Sequence, residues 1–309
     1  MPDISSLSLS FDEISMRFPD GTEALLDVSL SVGPNEFVSV VGPSGCGKST
    51  LLNIASGLLK PTSGSVEIAD TSMGYIFQDP TLLPWRTVLR NVELLCELHQ
   101  VPKEERRKRA QEAIDLVGLS GFERHFPKTL SGGMKMRTSL ARTLTLHPRV
   151  FLFDEPFGSL DEITREKLND ETQLLFQKEG FSSLFITHSI SEAVYLSTKV
   201  YVMSERPGRV IAEFDIPFDY PRVPEQRFDP NFAEAYCNLG VLYKELGDLN
   251  KATSLFYDAI KINPNYSEAH HNLGLAHLLK GNFKKGWKGY SNRWKFGPLA
   301  KYRRTYNTS

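Results

Sequence analysis

The sequence is poor in cysteine and lacks any apolar stretch long enough to cross a membrane. Its 309 residues include three cysteines, Cys46, Cys96 and Cys237, which are scattered and do not have the spacing of metal ligands. No apolar run approaches the ~18 residues of a membrane span, and the N-terminus does not show the pattern of a signal peptide. We therefore expect free thiols and a cytosolic location.

Net charge is also nearly absent, at −1 for the whole chain, which by itself favours neither nucleic acid nor a membrane surface as a partner. The charges are unevenly distributed. Residues 1–226 carry 23 Lys and Arg against 31 Asp and Glu, whereas residues 227–309 carry 13 against 6. A chain of this length accommodates two domains, and the change in charge predicts a boundary near residue 226.

Short apolar runs alternate with helical patterns over the first two-thirds of the chain. The stretches "EFVSVVG", "RVFLFDEP" and "SSLFITH" are strand candidates, and the last two lack polar alternation, which is typical of parallel strands covered on both faces. We therefore predict an α/β domain with a mostly parallel sheet over residues 1–220. Helical patterns at about residues 86–135 predict a helical subdomain inserted into this domain.

A proline-rich segment and an internal repeat follow. Three prolines between Pro217 and Pro224 mark a linker, which we place at residues 221–230. Beyond it, "AEAYCNLGVLYKELGDLNKA" recurs 34 residues later as "SEAHHNLGLAHLLKGNFKKG". A 34-residue period with a Leu-Gly pair in the first helix is the tetratricopeptide signature. The sequence therefore predicts a small all-α repeat segment with a basic tail over residues 231–309.

The stretch "GPSGCGKST" fits the pattern of a phosphate-binding loop between a strand and a helix. Its backbone N–H groups, with the helix N-terminus behind them, would surround phosphate oxygens. Lys48 would reach the β- and γ-phosphates, Ser49 would bind Mg²⁺, and Thr50 would add a hydroxyl. The candidate nucleotide-binding residues of this loop are Gly42, Pro43, Ser44, Gly45, Cys46, Gly47, Lys48, Ser49 and Thr50.

Polar side chains follow other apolar strands. Asp154 ends the strand in "VFLFDEP" and is suited to hold Mg²⁺, while Glu155 is placed to polarise an attacking water. His188 and Gln78 follow "SSLFIT" and "MGYIF", at the sheet edge where such folds bind ligands. Taken alone, each of these two side chains would be interpreted as structural. Together with the phosphate loop and the two carboxylates, they are predicted to be functional.

The order of these motifs, together with "LSGGMK" and "GSLD", resembles that of ATP-binding cassette (ABC) ATPases. The stretches "FQDPTLLPWRTVLRNV", "DEPFGSLD" and "VMSERPGRV" make the chain similar to importer ATPase subunits of the nitrate, sulfonate and taurine group. The likeness extends from about Phe11 to Pro217. It implies a Mg²⁺-dependent ATPase that powers uptake of a small solute and lies on the cytoplasmic face of the bacterial inner membrane.

The resemblance also implies roles for single residues. Phe18 would stack on adenine, although a plain core phenylalanine is nearly as good an explanation. Gln78 would contact Mg²⁺ and sense the attacking water, and His188 would hold the γ-phosphate. The stretch "PTLLPWRTV" would lie near the groove that receives a transmembrane partner, with a core role for its apolar cluster equally open.

The implied partners begin with a second copy of the chain. In a head-to-tail dimer the signature residues Ser131, Gly132 and Gly133 of one copy would complete the site of the other, with Asp161 at the interface. Further implied partners are transmembrane permease subunits and, indirectly, a periplasmic or lipid-anchored solute-binding protein.

Three positions depart from the pattern of the family. Met134 and Met136 stand where many relatives have Gln, and Ser189 replaces an Asp. None of these changes removes a phosphate ligand or the base, so we expect activity to be kept.

Two other functions stay open. Soluble cassette ATPases that act on nucleic acid usually hold two cassettes, and the acidic first domain here argues against a phosphate backbone as partner. We therefore expect no nucleic-acid partner.

Alternatively, a nucleotide-switched interaction protein would use the tetratricopeptide segment to bind a peptide. That segment could also dock on the cassette, or be a fragment joined by gene fusion or assembly error. The tail at 284–309, which has eight Lys and Arg and no acidic residue, is either solvated or attracts anionic lipid or an acidic partner.

Overall fold

The structure is a computed structural model that describes residues 7–69 and 72–295. The chain divides into two compact units, and the division falls between Arg222 and Val223. Most of the basic tail, residues 296–309, lies outside the described residues.

An antiparallel sheet forms the first part of the first unit. It consists of β1 (Leu9–Arg17), β2 (Glu23–Val32) and β4 (Ser63–Ile68), in the order β2-β1-β4. One face of β1 is buried through Leu9, Phe11, Ile14 and Met16, which form part of the core. The third strand, β4, pairs with the opposite edge of β1 from β2.

A six-stranded sheet positions the polar strand ends that the sequence singles out. Its members are β3 (Phe37–Val41), β5 (Met73–Ile76), β6 (Val150–Asp154), β7 (Ser182–Thr187), β8 (Lys199–Met203) and β9 (Val210–Asp215). The order is β5-β6-β7-β3-β8-β9, and only β9 is antiparallel to its neighbour among these described strands. Every residue of β3 and β7 is buried, which explains why neither strand alternates. The mostly parallel α/β architecture is confirmed.

Helices connect these strands. The helices outside the inserted segment are α1 (Lys48–Ala55), α5 (Gly132–Leu144), α6 (Glu162–Glu179) and α7 (Ile190–Leu196). The inserted segment contains α2 (Val88–Val92), α3 (Leu94–Leu98) and α4 (Lys103–Leu116), which lie between β5 and β6. Thr87 begins this segment by accepting a hydrogen bond from the Arg90 N–H, as an N-cap residue does.

The second unit is helical. It contains α8 (Pro230–Glu245), α9 (Leu249–Ile262), α10 (Ser267–Leu279) and α11 (Phe283–Tyr290). The repeated glycine has a packing role, because a Cβ on Gly240 would lie 2.6 Å from the Phe256 ring, and one on Gly274 would lie 2.3 Å from the Tyr290 backbone nitrogen. Each repeat therefore needs glycine where its first helix meets its second.

Arg222 lies within the predicted linker at 221–230, close to the division between the two units. Its side chain is 1% exposed and belongs to the first unit, where the guanidinium donates hydrogen bonds to the carbonyls of Val194, Tyr195, Ser197 and Phe218. These bonds satisfy carbonyls around the end of α7, so this part of the proline-rich segment is packed rather than loose. Among the described residues, no helix is both long and apolar enough to span a membrane.

Candidate functional site

The predicted phosphate loop joins β3 to α1. Gly45 and Gly47 have φ angles of +76° and +108°, which glycine adopts without strain. A Cβ on Gly47 would lie 2.6 Å from the Leu25 side chain, so the loop also packs closely against β2. The N-terminus of α1 has neither a side-chain cap nor an acidic residue in its first turn. Its N–H groups and positive dipole end therefore suit an anion such as phosphate.

Lys48 connects the loop to the predicted base. Its ammonium, which is almost fully buried, donates hydrogen bonds of 3.0 Å to the carbonyls of Gly42 and Pro43. The same nitrogen lies 3.7 Å from Oε1 of Glu155. The positive charge is thus fixed between the loop and the end of β6.

Ser49 and Asp154, the two residues that the sequence assigns to Mg²⁺, contact each other directly. The Ser49 hydroxyl donates a 2.9 Å hydrogen bond to Asp154 Oδ1, and the Tyr75 hydroxyl donates one of 3.3 Å to Oδ2. Burial raises the pKa of Asp154 above its usual value, although these two hydrogen bonds act in the opposite direction. Burial and the neighbouring carboxylate raise the pKa of Tyr75, so its phenol stays a donor.

Glu155 has an uncommon backbone conformation for a residue with a side chain. Its φ angle is +45°, and its N–H donates a 3.0 Å hydrogen bond to the carbonyl of Ile186 in β7. Strained positions of this kind concentrate at functional sites, where the surrounding structure holds them in place. The turn directs Oε2 to within 3.3 Å of His188 Nδ1, while Oε1 faces Lys48.

Gln78 and His188 converge on Gly158. A Cβ built on Gly158 would lie 3.4 Å from His188 Cε1 and 3.7 Å from Gln78 Nε2. Three strand ends and the turn after Glu155 therefore bring their polar groups to one place. We call Lys48, Ser49, Gln78, Asp154, Glu155 and His188 the hydrolysis cluster.

A buried carboxylate, Glu192, lies beneath this cluster, and no local pattern in the sequence points to it. Its side chain is 3% exposed and accepts a hydrogen bond from Thr187, with Oε1 3.5 Å from Arg165 Nε. Ser189, the departure from the family's Asp, accepts a hydrogen bond from the Glu192 N–H and caps α7. Serine and aspartate rank about equally as N-cap residues, so the helix keeps its cap with serine at this position.

The signature residues form a second cluster at the start of α5. Ser131 caps this helix by accepting a hydrogen bond from the Met134 N–H. A Cβ on Gly132 would lie 2.8 Å from Leu160 Cδ2, and one on Gly133 would lie 2.8 Å from Thr164 Cγ2. We call Ser131, Gly132, Gly133, Leu160 and Asp161 the signature cluster.

Asp161 begins α6 next to these glycines. Its carboxylate accepts a hydrogen bond of 3.0 Å from the Thr164 N–H, and this bond holds the pKa of Asp161 below its usual value. Arg165, one turn further, donates to the Leu160 carbonyl at 2.9 Å and approaches Glu192. The chain's own contacts therefore link the signature cluster to the region beneath the hydrolysis cluster.

The structure places the other predicted residues less specifically. Phe18 is half-buried in a turn and packs against the core, which fits either role that the sequence leaves open. Met136 is buried at 3% exposure, where a methionine packs readily. Within the described residues, no group of three or more His, Cys, Asp or Glu side chains is arranged to hold a metal ion. The hydroxyl, amide and single carboxylate of Ser49, Gln78 and Asp154 instead suit Mg²⁺, which binds few protein oxygens and keeps its waters.

Comparisons with families assign both parts of the chain. The family described as ABC transporter matches residues 25–158. Two tetratricopeptide repeat families match residues 233–266 and 255–288.

Similar proteins include transporter subunits. An uncharacterised ABC transporter ATP-binding protein of Methanocaldococcus jannaschii is 47% identical over 65% of this chain and 78% of its own length. The taurine import ATP-binding protein TauB of Yersinia pestis is 42% identical over 64% of this chain and 80% of its own length. The nitrate import ATP-binding protein NrtC of Synechococcus elongatus is 40% identical over 76% of this chain but 37% of its own length.

A solved structure agrees with these matches. A dimeric bacterial ABC transporter cassette superposes with a TM-score of 0.61 at 33% identity, covering 68% of this chain and all of that one. This protein is an ATPase of the ABC transporter ATP-binding family, related to nitrate and taurine import proteins, and it carries tetratricopeptide repeats after the cassette.

Proposed function

We propose that this chain is the ATP-hydrolysing subunit of an importer for a small anionic or zwitterionic solute of the nitrate, sulfonate or taurine kind. The proposal is supported by the relatives, two of which are named as import ATP-binding proteins for taurine and nitrate. Its partners would be permease subunits in the membrane, and its location the cytoplasmic face of that membrane. A solute-binding protein would act indirectly, through the permease.

The hydrolysis cluster carries this proposal, because it supplies the parts that phosphoryl transfer needs. The loop amides and Lys48 would hold the phosphates of ATP, while Ser49, Asp154 and Gln78 would hold Mg²⁺. When bound, Mg²⁺ neutralises charge on the phosphate oxygens. Glu155 would take a proton from the attacking water, and His188, 3.3 Å away, would orient that carboxylate and approach the γ-phosphate.

The signature cluster favours a head-to-tail dimer. Its serine and glycines begin a helix, whose dipole attracts negative charge, yet a Cβ on Gly132 or Gly133 would meet the side chains of Leu160 and Thr164. We infer that Ser131 and the two glycines complete the nucleotide site of a second copy, with Asp161 at the interface between the copies. The similarity to a cassette solved as a dimer supports this arrangement.

Uptake by cells tests the importer function. Deleting the gene is expected to abolish energy-dependent uptake of nitrate, taurine or an alkanesulfonate, and the wild-type chain is expected to restore it. The variant Glu155→Gln should be present at the same level but fail to restore uptake. Normal uptake of all three solutes in the deletion strain, with ATPase activity in the purified chain, would contradict the importer and favour a soluble ATPase.

A further inference from the structure

The stretch "VMSERPGRV" helps to identify the subgroup, but none of its residues enters the hydrolysis cluster. It forms the turn between β8 and β9, and this turn packs directly on the phosphate loop. A Cβ on Gly208 would lie 2.1 Å from the Cys46 carbonyl oxygen. Gly208 also donates a 2.9 Å hydrogen bond to the Ala24 carbonyl and accepts one of 3.0 Å from the Leu26 N–H. The turn is therefore fixed to both β2 and the loop.

Arg206 makes the polar contact between this turn and the loop. Its Nε and Nη2 atoms both donate to the Gly45 carbonyl oxygen, at 3.0 and 2.8 Å. A charged guanidinium gives stronger hydrogen bonds than a neutral donor, and two bonds from one planar group fix direction as well as distance. The Gly45 carbonyl is thus held towards Arg206.

The direction of this carbonyl matters for phosphate binding. Because the peptide unit is planar, fixing the carbonyl of Gly45 also fixes the N–H of Cys46 on the opposite side of the same peptide. Gly45 has a φ angle of +76°, a conformation that glycine adopts without strain. Within the loop, the Cys46 N–H donates a long bond of 3.4 Å to the Pro43 carbonyl, and the bonds from Arg206 hold the same peptide from outside the loop. A loop that is ordered in advance binds its ligand without the entropic cost of ordering.

We propose that Arg206 is a positioning residue, which holds the phosphate loop in its binding conformation through the Gly45 carbonyl. The inference rests on the proposed nucleotide site. Arg206 also lies near Asp20, whose pKa is lowered first by hydrogen bonds within its own turn and further by the charge of Arg206.

Equilibrium binding of ATP and ADP to purified full-length variants tests this role. Arg206→Ala should weaken binding of both nucleotides equally, by about three- to tenfold, since the loop would hold the phosphates common to both. Arg206→Gln keeps an uncharged donor and should recover most of the affinity. In steady-state hydrolysis, the alanine variant should raise KM with little change in kcat, as expected for weaker uniform binding.

A neighbouring arginine provides the matched control. Arg209 is exposed on the same turn, but its guanidinium faces Asp27 at 3.4 Å rather than the loop. Arg209→Ala should bind both nucleotides as the wild type does, and a similar melting temperature for the two alanine variants would exclude general unfolding.

Three results would overturn the proposal. Wild-type affinity in Arg206→Ala would remove any role in binding. A glutamine variant as weak as the alanine variant, or a loss confined to ATP, would indicate a direct charge contact with nucleotide instead of positioning. Lys48→Ala separates this proposal from the proposed function. Normal nucleotide binding by Lys48→Ala would contradict the nucleotide site itself. If Lys48→Ala loses nucleotide binding but Arg206→Ala binds normally, only the role of Arg206 is contradicted.

Discussion

The hydrolysis cluster and the signature cluster differ in the interactions that hold their residues in place. In the hydrolysis cluster, charged and polar side chains contact one another directly, as Ser49 does with Asp154 and His188 with Glu155. In the signature cluster, glycines pack closely on Leu160 and Thr164, and the side chain of Ser131 serves its own helix.

In the proposed mechanism the two clusters supply different parts of one shared nucleotide site. One cluster has the charges to hold phosphates and activate water, whereas the other has a helix N-terminus and small residues that allow close approach. Arg165 contacts the Leu160 carbonyl of the signature cluster and approaches Glu192, which lies beneath the hydrolysis cluster. The comparison predicts that damage to either cluster stops hydrolysis, but by different routes.

The largest effect is expected in the hydrolysis cluster itself. Glu155→Gln should lower ATP hydrolysis at least about 100-fold, because it removes the proton acceptor and keeps the shape of the side chain. ATP should still bind, and ATP-bound dimers should accumulate in size-exclusion chromatography. Phosphate release measures the loss, with Glu213→Gln on an exposed strand as the control. Full turnover in the Glu155 variant would show that Glu155 is not the base.

A second large effect is expected in the signature cluster. Gly133→Asp should stop hydrolysis while leaving ATP affinity of the isolated chain unchanged, because its side chain has no room beside Thr164 and adds negative charge at the helix start. Met134→Gln is the matched control and should hydrolyse normally, since the Met134 N–H, not its side chain, bonds Ser131. Reduced ATP affinity in the monomeric Gly133 variant would place the signature in the chain's own site.

A smaller, pH-dependent effect is expected where the two clusters meet. Burial raises the pKa of Glu192, so the folded protein holds this proton more tightly than the unfolded chain does. Its contribution to stability is therefore complete below the unfolded pKa and is lost as pH rises through the folded pKa. Glu192→Gln removes this titration, so the melting temperature of the variant relative to that of the wild type should rise as the pH is raised from the ordinary range of a glutamate through the raised pKa of Glu192. A constant or falling difference would contradict a buried, costly charge.

The smallest effect is expected from the second unit, which contributes no residue to either cluster. A chain that ends at Arg222 should bind ATP within about twofold of the full-length protein, well under the tenfold that 1.4 kcal/mol would produce. Ending the chain at Tyr220 provides the contrast, because it removes the buried guanidinium of Arg222 and its four carbonyl contacts. Weak ATP binding by the chain that ends at Arg222 would show that the repeats support the site.

The sequence predicts much of this molecule because its signals are local. The loop glycines, the strand ends at Asp154 and His188, and the 34-residue repeat each appear in a short window. The parallel sheet follows from strands such as β7 that lack polar alternation. Close contacts between distant segments leave weaker signals.

Three side chains show this limit. Tyr75 reaches Asp154 across 79 positions, Arg206 reaches Gly45 across 161, and Glu192 is paired with an arginine on another helix. Nothing in a local window gives the partner, although Tyr75 and Arg206 lie within the quoted stretches "MGYIF" and "VMSERPGRV". The antiparallel sheet could have been predicted from β1, where apolar residues such as Leu9 and Phe11 alternate with polar ones and face the core.

Mixing two inactive variants tests the central claim, that each site is completed by another copy. Lys48→Ala removes phosphate binding and keeps the signature cluster intact. Gly133→Asp disrupts the signature cluster and keeps phosphate binding. Random pairing gives mixed dimers in about half of cases, and each mixed dimer holds one intact site. Neither variant alone should hydrolyse ATP. We predict that mixing them restores hydrolysis at about a quarter of the number of sites in the wild type. Hydrolysis that stays absent at every mixing ratio, although mixed dimers form, would contradict the shared site.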